Sequence, residues 1–285
     1  MGNFDGVHLG HQSVIDQART EAPLGIVTFE PHPREVFVRD APPFRLMNAE
    51  ARANRLAKLG VAELYELPFD KSLASLTPEA FARDVLAAGL GVVHVVVGAD
   101  FCFGKARAGK AQDLVSLGKT YDFAVTIADL VQHDGVEISS TAIRAALAEG
   151  RPRDAAAMLG HWHRIDGEVI HGEKRGRKLG YPTANMSVSG LHLPKLGVYA
   201  VRIKILTGPQ SGDYIGGASL GVRPMFGLNQ PNLETFLFDF NGDLYGQHLS
   251  VALVDYLRPE VKFDGLPALM DQMATDCAKA RALLS

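Results

Sequence analysis

With 29 Lys and Arg against 32 Asp and Glu, the 285-residue chain has a formal net charge of −3; bulk charge does not suit a polyanion, so any anionic ligand must be met by local clusters. Its 47% apolar and 21% charged content is that of an ordinary globular protein, long enough for two domains. Two cysteines, Cys102 and Cys277, argue against a disulfide framework, and CxxC and zinc spacings, a membrane-length apolar run and a signal-peptide core are all absent, so a cytoplasmic location is expected.

The opening MGNFDGVHLGHQ gathers Gly2, Asp5, Gly6, His8, Gly10 and His11 within a dozen residues. Glycines let a backbone turn tightly and approach a ligand closely. A helix beginning near Leu9 puts His8 and His11 on one face of its N-terminus, where unpaired N–H groups and partial positive charge suit a phosphate. Two imidazoles there add donors for a phosphoryl transition state. Taken alone, HxxH is a turn with two surface histidines. Such a turn normally follows a β-strand, yet only Met1 precedes Gly2, so the expectation is a sheet lacking its first strand and a loosened site.

The first helix should run to about Thr20. Leu24 to Phe29 reads as a short buried strand ended by Pro31 and Pro33. Glu50 to Leu59 reads as a helix and VAELYELPF as a second strand. Thr77 caps a helix with Pro78 at its first position, running to about Ala88. VVHVVVG is a β-branched buried strand, Asp113 to Leu117 a helix, and FAVTIADLV the last strand. Strands alternating with helices imply a parallel sheet, hence an α/β domain whose ligand lies beyond the strand C-termini. FEPHP, GADFCFG and ISSTAIR all fall there. Ser139, Ser140 and Thr141 suit the N-cap of a helix ending at Gly150. Arg144 sits in its first turn, where a cation is unfavourable unless an anion binds.

Near Leu159 the pattern changes, placing a domain boundary at about residue 160. GEVIHG, GVYAVRIKIL, YIGGASLGV, LETFLFDF and HLSVALVDYL read as strands of an antiparallel barrel. The tail reads as a closing helix with Leu266, Leu269, Met270, Met273 and Cys277 at helical spacing. In GEKRGRKLGYPTANM, glycines at 172, 176 and 180 alternate with Lys174, Arg175, Arg177 and Lys178, which suits a phosphate cover. Thr183 and Asn185 lie two apart and share one side of an extended segment, offering hard oxygens to Mg²⁺ on a nucleotide; a turn with an Asx-type bond is the plainer alternative.

GNFDGVHLGH, FEPHP, GADFCFG, ISSTAIR, GRKLGYPTAN and LETFLFDFNGDLYG occur in this order over essentially the whole chain and together resemble the bacterial bifunctional riboflavin kinase/FMN adenylyltransferases. The resemblance implies a Rossmann-like nucleotidylyltransferase domain over 1–160 and a β-barrel riboflavin kinase domain with a C-terminal helix over 161–285. It implies His8, His11 and Arg144 as catalytic groups around the ATP phosphates. Gly2, Asn3, Phe4, Gly6, Asp100, Gly104, Ser139, Ser140 and Thr141 then bind ATP in the first half, and Gly176, Lys178, Gly180 and Pro182 in the second. Phe29, Pro31, His32, Pro33, Phe101 and Phe103 become flavin contacts, and Thr183 and Asn185 the metal ligands. Glu234 matches the family's carboxylate and becomes the base for the ribityl hydroxyl, with Asp239 and Asp243 as nearby candidates, the latter better suited to a turn. The implied ligands are riboflavin, FMN, FAD and ATP with Mg²⁺, with no tightly bound prosthetic group and no nucleic-acid or membrane partner. Trp162 and His163 depart from the family's junction. The alternatives are a riboflavin kinase with an inactive first half, a non-catalytic flavin-nucleotide binder, and a different HxGH adenylyltransferase.

Overall fold

β-branched runs and capped, Pro-initiated segments alternate through the first 160 residues of the computed structural model. It describes residues 1–20, 22–38, 42–129, 131–133, 136–171, 181–225 and 228–285, with backbone only at 132–133, 136–137, 223–225 and 228–230. The elements are α1 (Leu9–Gln17), β1 (Gly25–Glu30), α2 (Pro33–Phe37), α3 (Ala49–Lys58), β2 (Glu63–Pro68), α4 (Lys71–Ser75) and α5 (Pro78–Ala80), the last continuing as a π-helical stretch over Phe81–Gly89. They are followed by β3 (His94–Gly98), β4 (Cys102–Phe103), β5 (Gly109–Lys110), α6 (Ala111–Thr120), β6 (Ala124–Ala128), β7 (Gln132–His133), β8 (Val136–Glu137), α7 (Ser140–Ala148) and α8 (Pro152–Leu159). Two of the helices unforeseen from the sequence have a common cause. Pro33 and Pro152 act not as breakers but as first-turn residues, where the missing N–H costs nothing.

Packing divides the chain into two units, residues 1–41 with 52–139 and residues 42–51 with 140–285. In the first unit β1 pairs with β2 and β3 with β6, both parallel, as the alternation requires. Among the described residues no strand joins the two pairs. Instead the Gly2 N–H donates to the Val27 carbonyl at 3.1 Å and the Met1 amine to the Val96 carbonyl at 2.9 Å. The opening turn is thereby tied by its backbone to one strand of each pair. Val95, Val97, Leu86, Leu114 and Phe81 form the apolar centre of this unit.

The second unit is built on β9 (Arg164–Glu168), β10 (Ala184–Ser187), β11 (Gly197–Ile205), β12 (Gly212–Met225), β13 (Leu228–Leu237) and β14 (His248–Arg258), followed by α9 (Leu266–Leu284). The strands are antiparallel in the order β10-β13-β12-β11-β14-β9. A bridge from Ile170 to Asn185 brings the two ends together, so the sheet is a nearly closed barrel. Val201, Ile203, Leu220, Leu233, Leu249 and Val251 fill it. α9 packs through Ala280 and Leu284, while Leu266 and Met270 face solvent, against the expectation of one continuous apolar stripe.

Residues 42–51 belong to this second unit by contact. Leu46 packs with Ile143, Leu147 and Leu159 of α7 and α8, the Asn48 amide donates to the Asp166 carbonyl at 2.8 Å, and Glu50 meets His248 at 2.8 Å. Trp162 and His163 lead into the barrel. Trp162 packs beside Phe238 and Val254, and the buried His163 accepts the Leu253 N–H at 3.0 Å through its carbonyl.

Burial, reinforced by His161 and His192, lowers the pKa of His163 from 6.5 to about 3. The folded protein therefore keeps this ring neutral where the unfolded chain takes up a proton. The stability this provides is complete above pH 6.5 and is lost at about 1.4 kcal/mol per pH unit as the pH falls toward 3. Melting temperatures measured from pH 7.5 to 5 should fall more steeply for the native chain than for His163→Gln; equal slopes would show that His163 does not carry the acid sensitivity.

Candidate functional site

In the first unit the turn before α1 has positive φ at Phe4, Gly6 and Val7, folding the chain back within four residues. Thr28, fully buried on β1, donates its hydroxyl to the Asn3 carbonyl at 3.2 Å. His8 then caps α1, its Nδ1 accepting the His11 N–H at 3.3 Å. Nδ1 is thus an acceptor, and the ring proton of neutral His8 sits on Nε2. The two imidazoles stack with centroids 3.7 Å apart and 19° between planes. A Cβ at Gly10 would come within 3.1 Å of the His8 ring, so the glycine between the histidines is what allows His8 to fold over the helix start. Burial first, then His8 and the N-terminal amine, hold His11 well below the usual imidazole range. Its Nδ1 is buried with no hydrogen-bond partner among the described residues. Two stacked imidazoles at a helix N-terminus, His8 buried and His11 half-buried, form a preorganised pair of ring groups that suits a phosphate.

The loops after β1 and β3 surround aromatic side chains. FEPHP contains a cis Glu30–Pro31 bond. His32 caps α2 through a capping box with Glu35, and Pro33 is the first residue of that helix. Phe29 meets Phe69 edge-on at 5.6 Å, and Phe69 meets the exposed Phe37 at 5.7 Å. Phe37 and Phe69 were not singled out from the sequence; this row exists only because α2 follows β1 and Phe69 follows β2. Nearby, Arg52 is almost fully buried and bridges Glu30 and Glu66. In GADFCFG, Phe103 is buried against Phe81 and the half-buried Phe101 stacks on it at 5.8 Å. Asp100 is exposed. Gly104, at φ 72°, lies so close to Pro78 that a Cβ would meet its backbone nitrogen at 2.8 Å.

Ser140, Thr141 and Arg144 lie on α7 in the second unit, whereas His8 and His11 lie in the first; Ser139 is the first unit's last residue. The Arg144 Nε donates to the Phe44 carbonyl at 2.6 Å, and its guanidinium lies over the Phe44 ring. Gly176, Lys178 and Gly180 lie outside the described residues.

The barrel carries two cavities that share one residue. One, about 300 Å³, is lined by Pro182, Thr183, Asn185, Asn241, Asp243 and Tyr245 among others. The other, about 180 Å³, is lined by Tyr181, Thr183, Glu234, Phe236, Phe263 and Met273 among others. Thr183 stands at the junction, with Asn185 in the first cavity and Glu234 in the second. Antiparallel pairing sets Asn185 directly opposite Glu234, on the same face of the sheet. Asn185 is buried and its Oδ1 accepts from Asn232 at 2.8 Å. The expected metal ligands are therefore two neutral oxygens, one held by a neighbour. Among the described residues no three His, Cys, Asp or Glu side chains cluster as a metal site. That donor set fits a hard cation whose charge is met mainly by nucleotide phosphates. Asp239 pairs with Arg281 instead, which holds its carboxyl below the usual range, and Asp243 accepts the Tyr245 N–H at 3.1 Å as a turn residue. The second cavity also reveals a pair that local pattern did not mark: Arg258 on β14 grips Asp276 of α9 at 2.8 Å, with Gln272 bonded to the same carboxylate. The Cys277 thiol beside it is pushed up by burial and by Asp276.

An HxGH-bearing α/β unit joined to a six-stranded barrel with paired cavities defines a two-module nucleotide-handling protein. Residues 1–142 match the FAD synthetase family and residues 159–284 the riboflavin kinase family. A bifunctional riboflavin kinase/FMN adenylyltransferase from Pseudomonas fluorescens is 40% identical, with 99% of this chain and 91% of the relative covered. Its counterpart from Listeria monocytogenes is 38% identical, with 100% and 91% covered. A crystal structure described as a macrolide-efflux protein from Streptococcus pneumoniae is 34% identical with a TM-score of 0.81, covering 99% of this chain and 92% of that one. No helix among the described residues is long and apolar enough to cross a membrane. The chain belongs to the bifunctional riboflavin kinase/FMN adenylyltransferase family.

The buried stack predicts that His11 stays neutral at mildly acidic pH. Proton NMR of the imidazole resonances from pH 8 to 5.5 should show no titration of His11; a midpoint near 6.5 would contradict the buried arrangement.

Proposed function

We propose that the two modules run consecutive reactions, and that His8, His11 and Arg144 serve one of them and Glu234, Thr183 and Asn185 the other. The barrel phosphorylates riboflavin with ATP to give FMN and ADP. The first module joins FMN to the AMP portion of a second ATP, giving FAD and pyrophosphate. The observation that carries the kinase assignment is the pair of cavities meeting at Thr183, with the Glu234 strand forming one wall. Nucleotide in the larger cavity and flavin in the smaller would present the γ-phosphate and the ribityl 5′-hydroxyl to each other at that junction.

The steps need different help. In the kinase step a neutral hydroxyl attacks, so a carboxylate that takes its proton lowers the barrier. Glu234 is on the flavin side of the junction and has that role. Thr183 and Asn185 would hold Mg²⁺, which when bound offsets charge on the phosphates. Pro182 shapes the nucleotide cavity, and Gly176, Lys178 and Gly180 are assigned to covering the phosphates on sequence grounds alone. In the adenylyl step the nucleophile is the FMN phosphate, already ionised near neutral pH, so no base is required. The bond from the ATP α-phosphorus to pyrophosphate breaks as the new P–O bond forms. His8 and His11, ring donors at the start of α1, stabilise that developing charge; Arg144, Ser139, Ser140 and Thr141 are assigned to the ATP phosphates on sequence grounds alone. Gly2, Asn3, Phe4 and Gly6 shape the turn, with Asp100 and Gly104 on the nucleotide side. Phe29, Pro31, His32, Pro33, Phe101 and Phe103 are assigned to the flavin, with Phe103 acting from the core through Phe101. The functional boundary falls near residue 160, and a cytoplasmic location follows from the substrates.

Incubation of the full chain with riboflavin, ATP and Mg²⁺, with flavins separated by chromatography over time, should give FMN and then FAD. Glu234→Gln should cut FMN formation at least about 100-fold; full retention would remove Glu234 as the base. His11→Ala should cut FAD formation from FMN by about 100-fold and spare riboflavin phosphorylation. Loss of both activities would point to misfolding instead.

A further inference from the structure

Asn232 lines neither cavity, yet it is 5% exposed and spends its amide on a candidate metal ligand. On β13 it stands two residues before Glu234, on the same face, opposite Ser187 of β10. From there its Nδ2 donates diagonally to the Asn185 Oδ1 at 2.8 Å. The other end of the Asn185 carboxamide, its Nδ2, lies 3.5 Å from the Thr183 carbonyl oxygen. A carboxamide has two faces of similar shape and opposite chemistry, an oxygen that binds a cation and an NH₂ that repels one. Rotating Asn185 by half a turn would bring its oxygen against the Thr183 carbonyl, and its NH₂ against the NH₂ of Asn232. If Asn232 rotated too, its oxygen would accept the Asn185 NH₂, but the Asn185 oxygen would then face the Thr183 carbonyl oxygen and the contact there would turn from attractive to repulsive. Among the described residues the observed arrangement leaves the Asn232 Oδ1 buried without a partner, a costly state for a polar atom. The pair is thus held in the one orientation that presents the Asn185 oxygen, at the expense of an acceptor on Asn232.

We propose that Asn232 is a positioning residue of the kinase site, fixing the Asn185 carboxamide so that its oxygen, and not its NH₂, meets the cation on the nucleotide. One lone pair of Oδ1 accepts from Asn232 and the second remains for the ion. The assignment rests on the reading of Asn185 as a cation ligand, and the test separates the two. It also fits the register, because Asn185, Glu234 and Asn232 share a face: one strand supplies the base and, two residues earlier, the support of the metal ligand.

Calorimetric titration of the full chain with ADP, in excess Mg²⁺ and again in EDTA, is the test. The nucleotide site of the first module, untouched by these substitutions, serves as reference in each titration. Asn232→Leu should weaken Mg·ADP binding at the barrel site about tenfold and leave the EDTA titration unchanged. Its urea transition should stay cooperative with a midpoint near that of the native chain, because the substitution removes one orphaned acceptor, the Asn232 Oδ1, while taking the donor from another, the Asn185 Oδ1. Asn232→Ala should give the same metal-specific loss if the leucine variant does not fold. In an Asn185→Asp background, where both side-chain oxygens suit a cation, Asn232→Leu should have little further effect. Metal-dependent binding unchanged by both Asn232 substitutions would overturn the proposal, as would an equal loss with and without Mg²⁺. If Asn185→Ala also left metal-dependent binding intact, the reading of Asn185 as a ligand would fail with it; if Asn185→Ala weakened it while the Asn232 substitutions did not, the positioning role alone would fail.

Discussion

The pairing of β10 with β13 is the constraint on which the barrel's chemistry depends. It sets Asn185 opposite Glu234 and leaves Thr183, just before β10, at the meeting point of the two cavities. Side chains alternate along a strand, so a slip of one residue would turn Asn185 away and bring a core residue such as Ala184 to the junction. The register is held from the other face. Ala184, Met186, Leu233 and Leu237 are buried in the barrel core, and exposing them would cost far more than any polar contact at the site returns. The pairing of Asn185 with Glu234 on one side of the sheet is thus fixed by apolar packing on the other. The bridge from Ile170 to Asn185 closes the ring at the same residue.

The first unit solves a different problem. Its strands form two parallel pairs, and the turn before α1 is held by single backbone bonds from Gly2 to β1 and from Met1 to β3, supplemented by Thr28. Among the described residues no strand joins the two pairs, and the turn is tied to both. The histidine pair is held by the helix itself. His8 caps α1, His11 stacks on His8, and Gly10 leaves the room that this requires. The result is a compact pair of imidazoles in which burial holds the His11 pKa well below the usual range.

Elements whose local rule is strong were legible in the sequence. The β-branched run at β3, the Thr77 cap before Pro78, the helix after ISST and the long closing helix are all present within a few residues of their expected places. Gly10 and Gly104 were conspicuous in their motifs, and each sits where a side chain would strike a neighbour. Features that depend on distant contacts left no local trace. Residues 42–51 join the second unit through partners more than a hundred positions away, including Asp166 and His248. The row of Phe29, Phe69 and Phe37 needs a strand, the helix that follows it and the end of a second strand to come together. The grip of Arg258 on Asp276 joins a strand to a helix that the sequence treats separately, and the amphipathic spacing of α9 misplaced Leu266 and Met270 because full burial is confined to its C-terminal turns. Asn232 looked like any polar strand residue until its partner was visible.

The central claim is that one chain breaks ATP at two different phosphorus atoms, the γ in the barrel and the α in the first module. Quantifying ADP and pyrophosphate alongside the flavins tests it directly. Starting from riboflavin, each FAD should be accompanied by one ADP and one pyrophosphate; starting from FMN, by pyrophosphate with no ADP. ADP without pyrophosphate from riboflavin, or ADP from FMN as the sole flavin, would contradict the division of the two reactions between the two modules.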